Sequence, residues 1–258
     1  MRNEFKSWNS YWPFAHSVKS SARFIHERHV MTFLNTLLAT SAKRQQRISE
    51  GKAVWRAQMG HANREYEQNG TSWDEPIPYP ASRMKPLPHA AHEGRVNPKG
   101  IPCLYVANNK ETAMAEVRPW VGGLVSLAQL RIARDITLID FTIGHDREFE
   151  IFLEEPSPAE REQSVWAQIG RAFSEPVISD AVSANYVPTQ VIAEFIKKKG
   201  FDGVAYKSKL GPGYNIALFD LAAAEVIDCR LHPVKSVSFQ FGEAQDAYTV
   251  KRKLKKEA

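Results

Sequence analysis

Residues 94–120, GRVNPKGIPCLYVANNKETAMAEVRPW, constrain the fold more than any other stretch of the chain. Asn97-Pro98 and Lys99-Gly100 favour an ordered turn over regular structure, and Arg95 opens that turn. The apolar run over residues 103–107 reads as a short buried strand with one phenol, Tyr105. Asn108 or Asn109 can cap a helix over residues 111–117, which must stop before Pro119. Glu116 falls at the end of that helix, where the dipole favours cations, so a purely local stabilising role is a poor explanation for it. It is either a surface glutamate or a working one.

Around this unit the pattern alternates without strict βαβ order. Apolar spacing over residues 20–47 predicts one or two amphipathic helices, a helical N-terminal extension covering residues 1–52. Residues 53–58, AVWRAQ, read as a strand that carries Arg56 into the main domain. Residues 61–93 are rich in Pro, Gly, Asn and His, which predicts a long irregular loop. Strands are expected at Leu124–Ile132 and over residues 136–141. A capping box at Ser157-Pro158-Ala159-Glu160 starts a helix reaching Phe173, and a second helix over residues 189–199 ends at Gly200. Residues 204–207, 215–220, 225–229 and 234–241 complete the strands, the last two at an edge. The fold class is α+β, a mixed α/β core over residues 53–242, followed by a basic tail over 243–258.

The net charge of +5 is unevenly spread. Residues 1–56 hold ten Lys/Arg against three Asp/Glu, and residues 251–258 hold five against one, which leaves the middle at −6. Basic ends of this kind suit nucleic acid, an acidic partner, or simple solvation. No run of about 18 apolar residues marks a membrane span, and the first residues lack a secretory apolar region, so a reducing cytoplasm is the expected compartment. Cys103 and Cys229 read as small hydrophobes rather than a disulfide.

No P-loop, G-x-G-x-x-G, H-E-x-x-H or G-x-S-x-G occurs. His26 with His29, and His89 with His92, have no Cys, Asp or Glu at ligand spacing, so no metal is expected. What remains is a set of polar residues at strand ends: Arg56, Arg95, Tyr105, Glu116, Ser208 and Asn215. Each has a plain reading, the arginines as structural partners of a carboxylate such as Asp202, Tyr105 as core, Ser208 and Asn215 as turn residues.

Five ordered blocks, WRAQ, residues 94–120, TQVIAEFI, GFDGVAYKS and GPGYNIALFD, resemble the RES domain family, named for its Arg, Glu and Ser, over about residues 53–228. The resemblance implies an ADP-ribosyltransferase-like core and an NAD-consuming toxin of a bacterial toxin–antitoxin pair, with NAD as substrate and no further cofactor. It carries Arg56 and Arg95 onto the family's arginines, Tyr105 onto its strand tyrosine, Glu116 onto its glutamate and Ser208 onto its serine, with Asn215 after the glycine loop. Ala57 and Lys209 depart from the pattern, standing where some members have a tyrosine and a second small polar residue.

The chemistry of these side chains agrees. Two arginines can grip a pyrophosphate through bidentate donors, and a carboxylate can stabilise the oxocarbenium-like centre formed when the nicotinamide–ribose bond breaks. Glu116 is assigned that part, with Tyr105 as a flat face and Ser208 and Asn215 at the ribose or a phosphate. Water, phosphate and a protein side chain remain open as acceptors. The resemblance implies a small antitoxin with a helical DNA-binding part that occludes the cleft, so nucleic acid is met only through it. The competing reading is a non-enzymatic nucleotide- or nucleic-acid-binding module working through its basic termini. A third concerns the extension alone, as a cover over the cleft or as a homo-oligomer interface.

Overall fold

The computed structural model describes residues 4–88, 90–146, 152, 154–175 and 183–241. His89 and the expected basic tail over 243–258 lie outside them. Among the described residues, five α-helices and ten strands follow in the order α1 (Tyr11–Ser20), α2 (Arg28–Thr40), β1 (Gln45–Ile48), β2 (Ala53–Met59), β3 (Ala62–Gln68), β4 (Thr71–Ile77), β5 (Leu104–Ala107), α3 (Lys110–Glu116), β6 (Leu124–Ile132), β7 (Ile136–Asp140), α4 (Pro158–Ser174), α5 (Val187–Lys198), β8 (Gly203–Lys207), β9 (Tyr214–Leu218) and β10 (Ala224–Pro233). The fold class is α+β, as expected, with the helices α1 and α2 at its N-terminal end.

Eight strands form one sheet in the order β1-β7-β8-β9-β5-β2-β6-β10, with β7 and β8 parallel and every other pair antiparallel. One core contains residues from all eight strands, among them Ile48, Val54, Leu104, Leu130, Leu138, Ala205, Ile216 and Ala224. A single sheet wraps such a core by curling over its own face, and Met84 of the loop after β4 and Ala223 of the turn before β10 help to fill it.

The outer face is covered in two places. Helices α1, α2, α4 and α5 bury Phe14, Leu34, Leu37, Trp166, Phe173 and Ile192 against Val204, Tyr206 and Ala217 of β8 and β9. Helix α3 covers the other part, setting Ala113 against Ala57, Ala107, Val125 and Leu127. Beside α3, which packs on both strands, runs the seam of β2 and β5, where they pair at a single position, Trp55 with Ala107. The candidate site occupies that seam.

Three expectations need correction. The helical reading of residues 20–47 ends too late: α2 stops at Thr40, and Gln45–Ile48 forms β1 against β7. Val30, Phe33, Leu34 and Leu37 of the stripe are buried within the chain, against α1, α4 and α5, while Phe24 and Met31 stay exposed. Residues 61–93 are not irregular throughout, since β3 and β4 form a hairpin around Asn69-Gly70, both at positive φ (53° and 75°). That pair of left-handed residues matches the twist of a two-residue hairpin turn. Residues 234–241 form no strand. β10 pairs with β6 up to Pro233 opposite Leu124, where β6 begins, and Val234 adds one last pair of backbone bonds, to Gly122 and Gly123, at the point where the strand stops.

Candidate active site

Asn109 caps α3 by accepting from the Thr112 amide at 2.8 Å, which fixes where the helix starts, and Glu116 is its last residue. The carboxylate sits at the unfavourable end of the helix dipole and is compensated from the side. Ser208 donates to Glu116 Oε1 at 2.6 Å and Asn215 Nδ2 donates to the same oxygen at 2.7 Å. Ser208 Oγ meanwhile accepts from the amides of Leu210 (3.1 Å) and Gly211 (2.9 Å), which leaves its proton for the glutamate.

The loop over residues 208–213 is clamped to α3 by three further bonds. Gly213 N donates to Thr112 Oγ1 at 2.9 Å, Tyr214 N donates to Asn108 Oδ1 at 2.8 Å, and Asn108 N donates back to the Tyr214 carbonyl. A side chain at Gly213 would collide with this clamp, because an added Cβ would lie 2.1 Å from Asn108 Oδ1 and 2.7 Å from Thr112 Oγ1. The glycine is required by close approach.

Arg56 reaches across the parted strands and donates from Nη1 to the Tyr105 carbonyl at 2.8 Å. Its Nε is buried without a partner among the described residues, and burial pulls the guanidinium below its ordinary pKa. Arg95 is half-buried, donates to the Ala172 carbonyl at 3.2 Å, and lies near the rings of Tyr206 and Tyr186. Neither pairs with Asp202, whose partner is Arg134 at 2.7 Å.

The Tyr105 hydroxyl is committed to the protein itself. It donates to Asn97 Oδ1 at 2.7 Å and accepts from Val96 N at 2.9 Å, so the phenol holds the Arg95 loop in place. Burial raises its pKa well above the ordinary value. From the other side Thr189 Oγ1 donates to the Arg95 carbonyl at 2.7 Å, and Gln190 Nε2 donates to the carbonyls of Gly94 and Asn97. The Thr189-Gln190 pair that opens the TQVIAEFI block is thus what anchors the arginine loop to α5.

Two adjoining chambers result. The larger, about 550 Å3, is walled by Trp55, Met59, Val117 and Tyr105 and receives Arg56. The smaller, about 170 Å3, is lined by Arg95, Arg118, Lys209, Ser174 and Tyr186. Glu116, Tyr206 and Asn215 border both, so five of the six expected residues line the hollow, and Ser208 stands directly behind Glu116. Sequence reading missed Tyr206, Tyr186 and Arg118. Tyr206 carried a signal, since alternation along β8 sets it two residues before Ser208 on the face turned towards the helices. A larger hollow of about 720 Å3 between α1 and α2 contains none of the six. Among the described residues no three His, Cys, Asp or Glu come together as a metal site, and no helix is long and apolar enough to cross a membrane.

The RES domain model matches residues 53–242. The chain belongs to the RES domain family. Its RES domain therefore begins at β2, the strand bearing Arg56, and takes in every residue of the hollow. Among solved structures, the M. tuberculosis MbcT–MbcA toxin–antitoxin complex has a chain that aligns with 76% of this one and 92% of its own length, at 13% identity and a TM-score of 0.42. No curated protein matches.

Proposed function

We propose that this RES domain cleaves the nicotinamide–ribose bond of NAD and acts as a toxin. The observation that carries the reading is Glu116, a carboxylate held by Ser208 and Asn215 at the junction of two chambers, with Arg56 on one side and Arg95 on the other. In the reaction the bond from nicotinamide N1 to ribose C1′ breaks, and the electron pair leaves with the ring, which departs neutral. No acid is needed at that end. Positive charge develops on the ribosyl centre, and the Glu116 carboxylate, oriented in advance by its two donors, stabilises it. Addition of water and loss of its proton give ADP-ribose, nicotinamide and one proton. Phosphate as acceptor would give the corresponding phosphorylated product, and a protein side chain an ADP-ribosylated one.

The positive charge near the hollow matters because residues 57–250 carry a net −6, a field that repels a dinucleotide at a distance. An enzyme that drains a shared cofactor requires control, so a small antitoxin with a helical DNA-binding part, occluding the hollow, belongs to this proposal. Incubation of the purified protein with NAD, with and without phosphate, followed by mass analysis of products, tests the reaction and identifies the acceptor. Unchanged NAD after long incubation would instead favour a module that only binds nucleotides.

A further inference from the structure

The two chambers differ in chemistry, and the difference sorts the parts of a substrate. The larger is walled mainly by Trp55, Met59, Val117 and Ala107, whereas the smaller gathers Arg95, Arg118 and Lys209 around a volume of about 170 Å3. These cations come from three separate segments: the loop before β5, the residue pair after α3, and the loop after β8. None has a carboxylate partner among the described residues, and the one carboxylate lining the chamber, Glu116, is already bonded to Ser208 and Asn215. Three like charges beside the single charge of Glu116 leave the chamber net positive, and their mutual repulsion is relieved when an anion joins them.

Arg118 supplies a second observation. It takes φ of 49°, and among the described residues the only other non-glycine residue at positive φ is Asn69 in the hairpin turn. A left-handed arginine directly before Pro119 is a strained arrangement, of the kind that persists where surrounding structure holds a side chain for use. The strain turns the chain after Glu116, so that carboxylate and guanidinium border the same chamber.

We infer that the small chamber is the pyrophosphate subsite, and that Arg118 and Lys209 bind the substrate together with Arg95. The inference rests on the dinucleotide reading given above and refines it. In NAD the ribose whose bond breaks lies between nicotinamide and pyrophosphate, and Glu116 lies between the apolar-walled chamber and the cationic one. Nicotinamide then fills the larger chamber and the pyrophosphate the smaller. Arg56, across the partition, lies on the base side rather than sharing the pyrophosphate with Arg95. Lys209, which stands where some members of the family have a second small polar residue, becomes a binding residue. Arg118 and Lys209 are exposed, so they close on the anion from the solvent side while half-buried Arg95 meets it from below.

Titration calorimetry at fixed low salt, with inorganic pyrophosphate and with ADP-ribose as probes, tests the assignment. Arg118→Gln and Lys209→Gln each weaken both probes about tenfold, and Arg118→Lys, which keeps the charge but loses the bidentate fork, falls between. Arg131→Gln removes an equal charge from an exposed position in β6 and leaves binding unchanged. Wild-type affinity in both glutamine variants, or an equal loss in Arg131→Gln, overturns the subsite. The proposed reaction fails separately: a protein that binds ADP-ribose in this charge-specific way yet releases no nicotinamide keeps the subsite and loses the reaction. A wild type that binds neither probe overturns both.

Discussion

Asn215 Nδ2 lies 2.7 Å from Glu116 Oε1, joining β9 to the end of α3 across 99 positions of sequence. A hydrogen bond to a charged group contributes about 1.5–3 kcal/mol. If the carboxylate must face the ribosyl centre, that orienting energy appears in the rate. Asn215→Ala should therefore lower kcat for nicotinamide release roughly tenfold to a hundredfold, since 1.4 kcal/mol corresponds to about a factor of ten. Asn215→Asp should lower it further by setting a like charge against Glu116. Asn215 is buried, so steady-state kinetics is read beside thermal unfolding, which separates a loss of rate from a loss of structure.

Gly213 tests the clamp that positions these donors. An added methyl must displace Asn108 or Thr112, so Gly213→Ala should cost about 1–3 kcal/mol of stability, as overpacking does, and should also depress activity by loosening Ser208 and Asn215 together. Urea unfolding with parallel NAD turnover reads both effects. A variant as stable and as active as wild type would remove the clamp from the account.

The N-terminal helices are predicted to be structural. Trp166 is fully buried among their side chains and donates from Nε1 to Thr40 Oγ1 at 3.1 Å, with the Arg44 guanidinium 4.4 Å over its ring. Removal of residues 1–44 strips the cover from Trp166, Phe173 and Ile192, and should yield insoluble or molten protein rather than raised activity. Trp166→Ala in the full chain should cost about 3–5 kcal/mol by urea unfolding. A soluble, more active truncation would restore the idea of a cover.

Much of the fold was legible because period and punctuation agree: the capping box at Ser157 and Glu160, alternation along β6, and Gly200 at the end of α5 all appear as read. The failures share a cause. β1 is polar QQRI, and its assignment depends on β7 beside it rather than on its own pattern. The β3–β4 hairpin was obscured by prolines and charges although Asn69-Gly70 announced it. At the site, Glu116, Ser208 and Asn215 could be named but not their mutual bonds, which require the clamp between α3 and the glycine loop. The part of the Tyr105 hydroxyl was hidden for the same reason, since only packing shows it committed to Asn97 and Val96. Arg118 and Lys209 look like ordinary surface cations until the chain brings Arg95 beside them.

Burial pushes the Cys103 thiol up to about 12 from an ordinary value of 9.0, and the S–H donates to the Leu218 carbonyl. The folded state thus holds this proton where the unfolded chain releases it. The resulting stability is complete below pH 9 and is lost as pH rises from about 9 towards 12. Tm should fall over that range, less steeply in Cys103→Ala, with buried Tyr105 and Tyr206 adding loss of the same sign. At pH 8 a thiol reagent should label native Cys229 well before Cys103. Equal labelling would contradict the buried assignment.

The decisive measurement is nicotinamide release from NAD by wild type and by Glu116→Gln, with the unfolding midpoint of each recorded. Glutamine keeps the shape and part of the hydrogen bonding but not the charge, so release should fall at least about a thousandfold, on the order of 4 kcal/mol, while the midpoint stays within a few degrees. A folded Glu116→Gln protein that releases nicotinamide as fast as wild type would contradict the account.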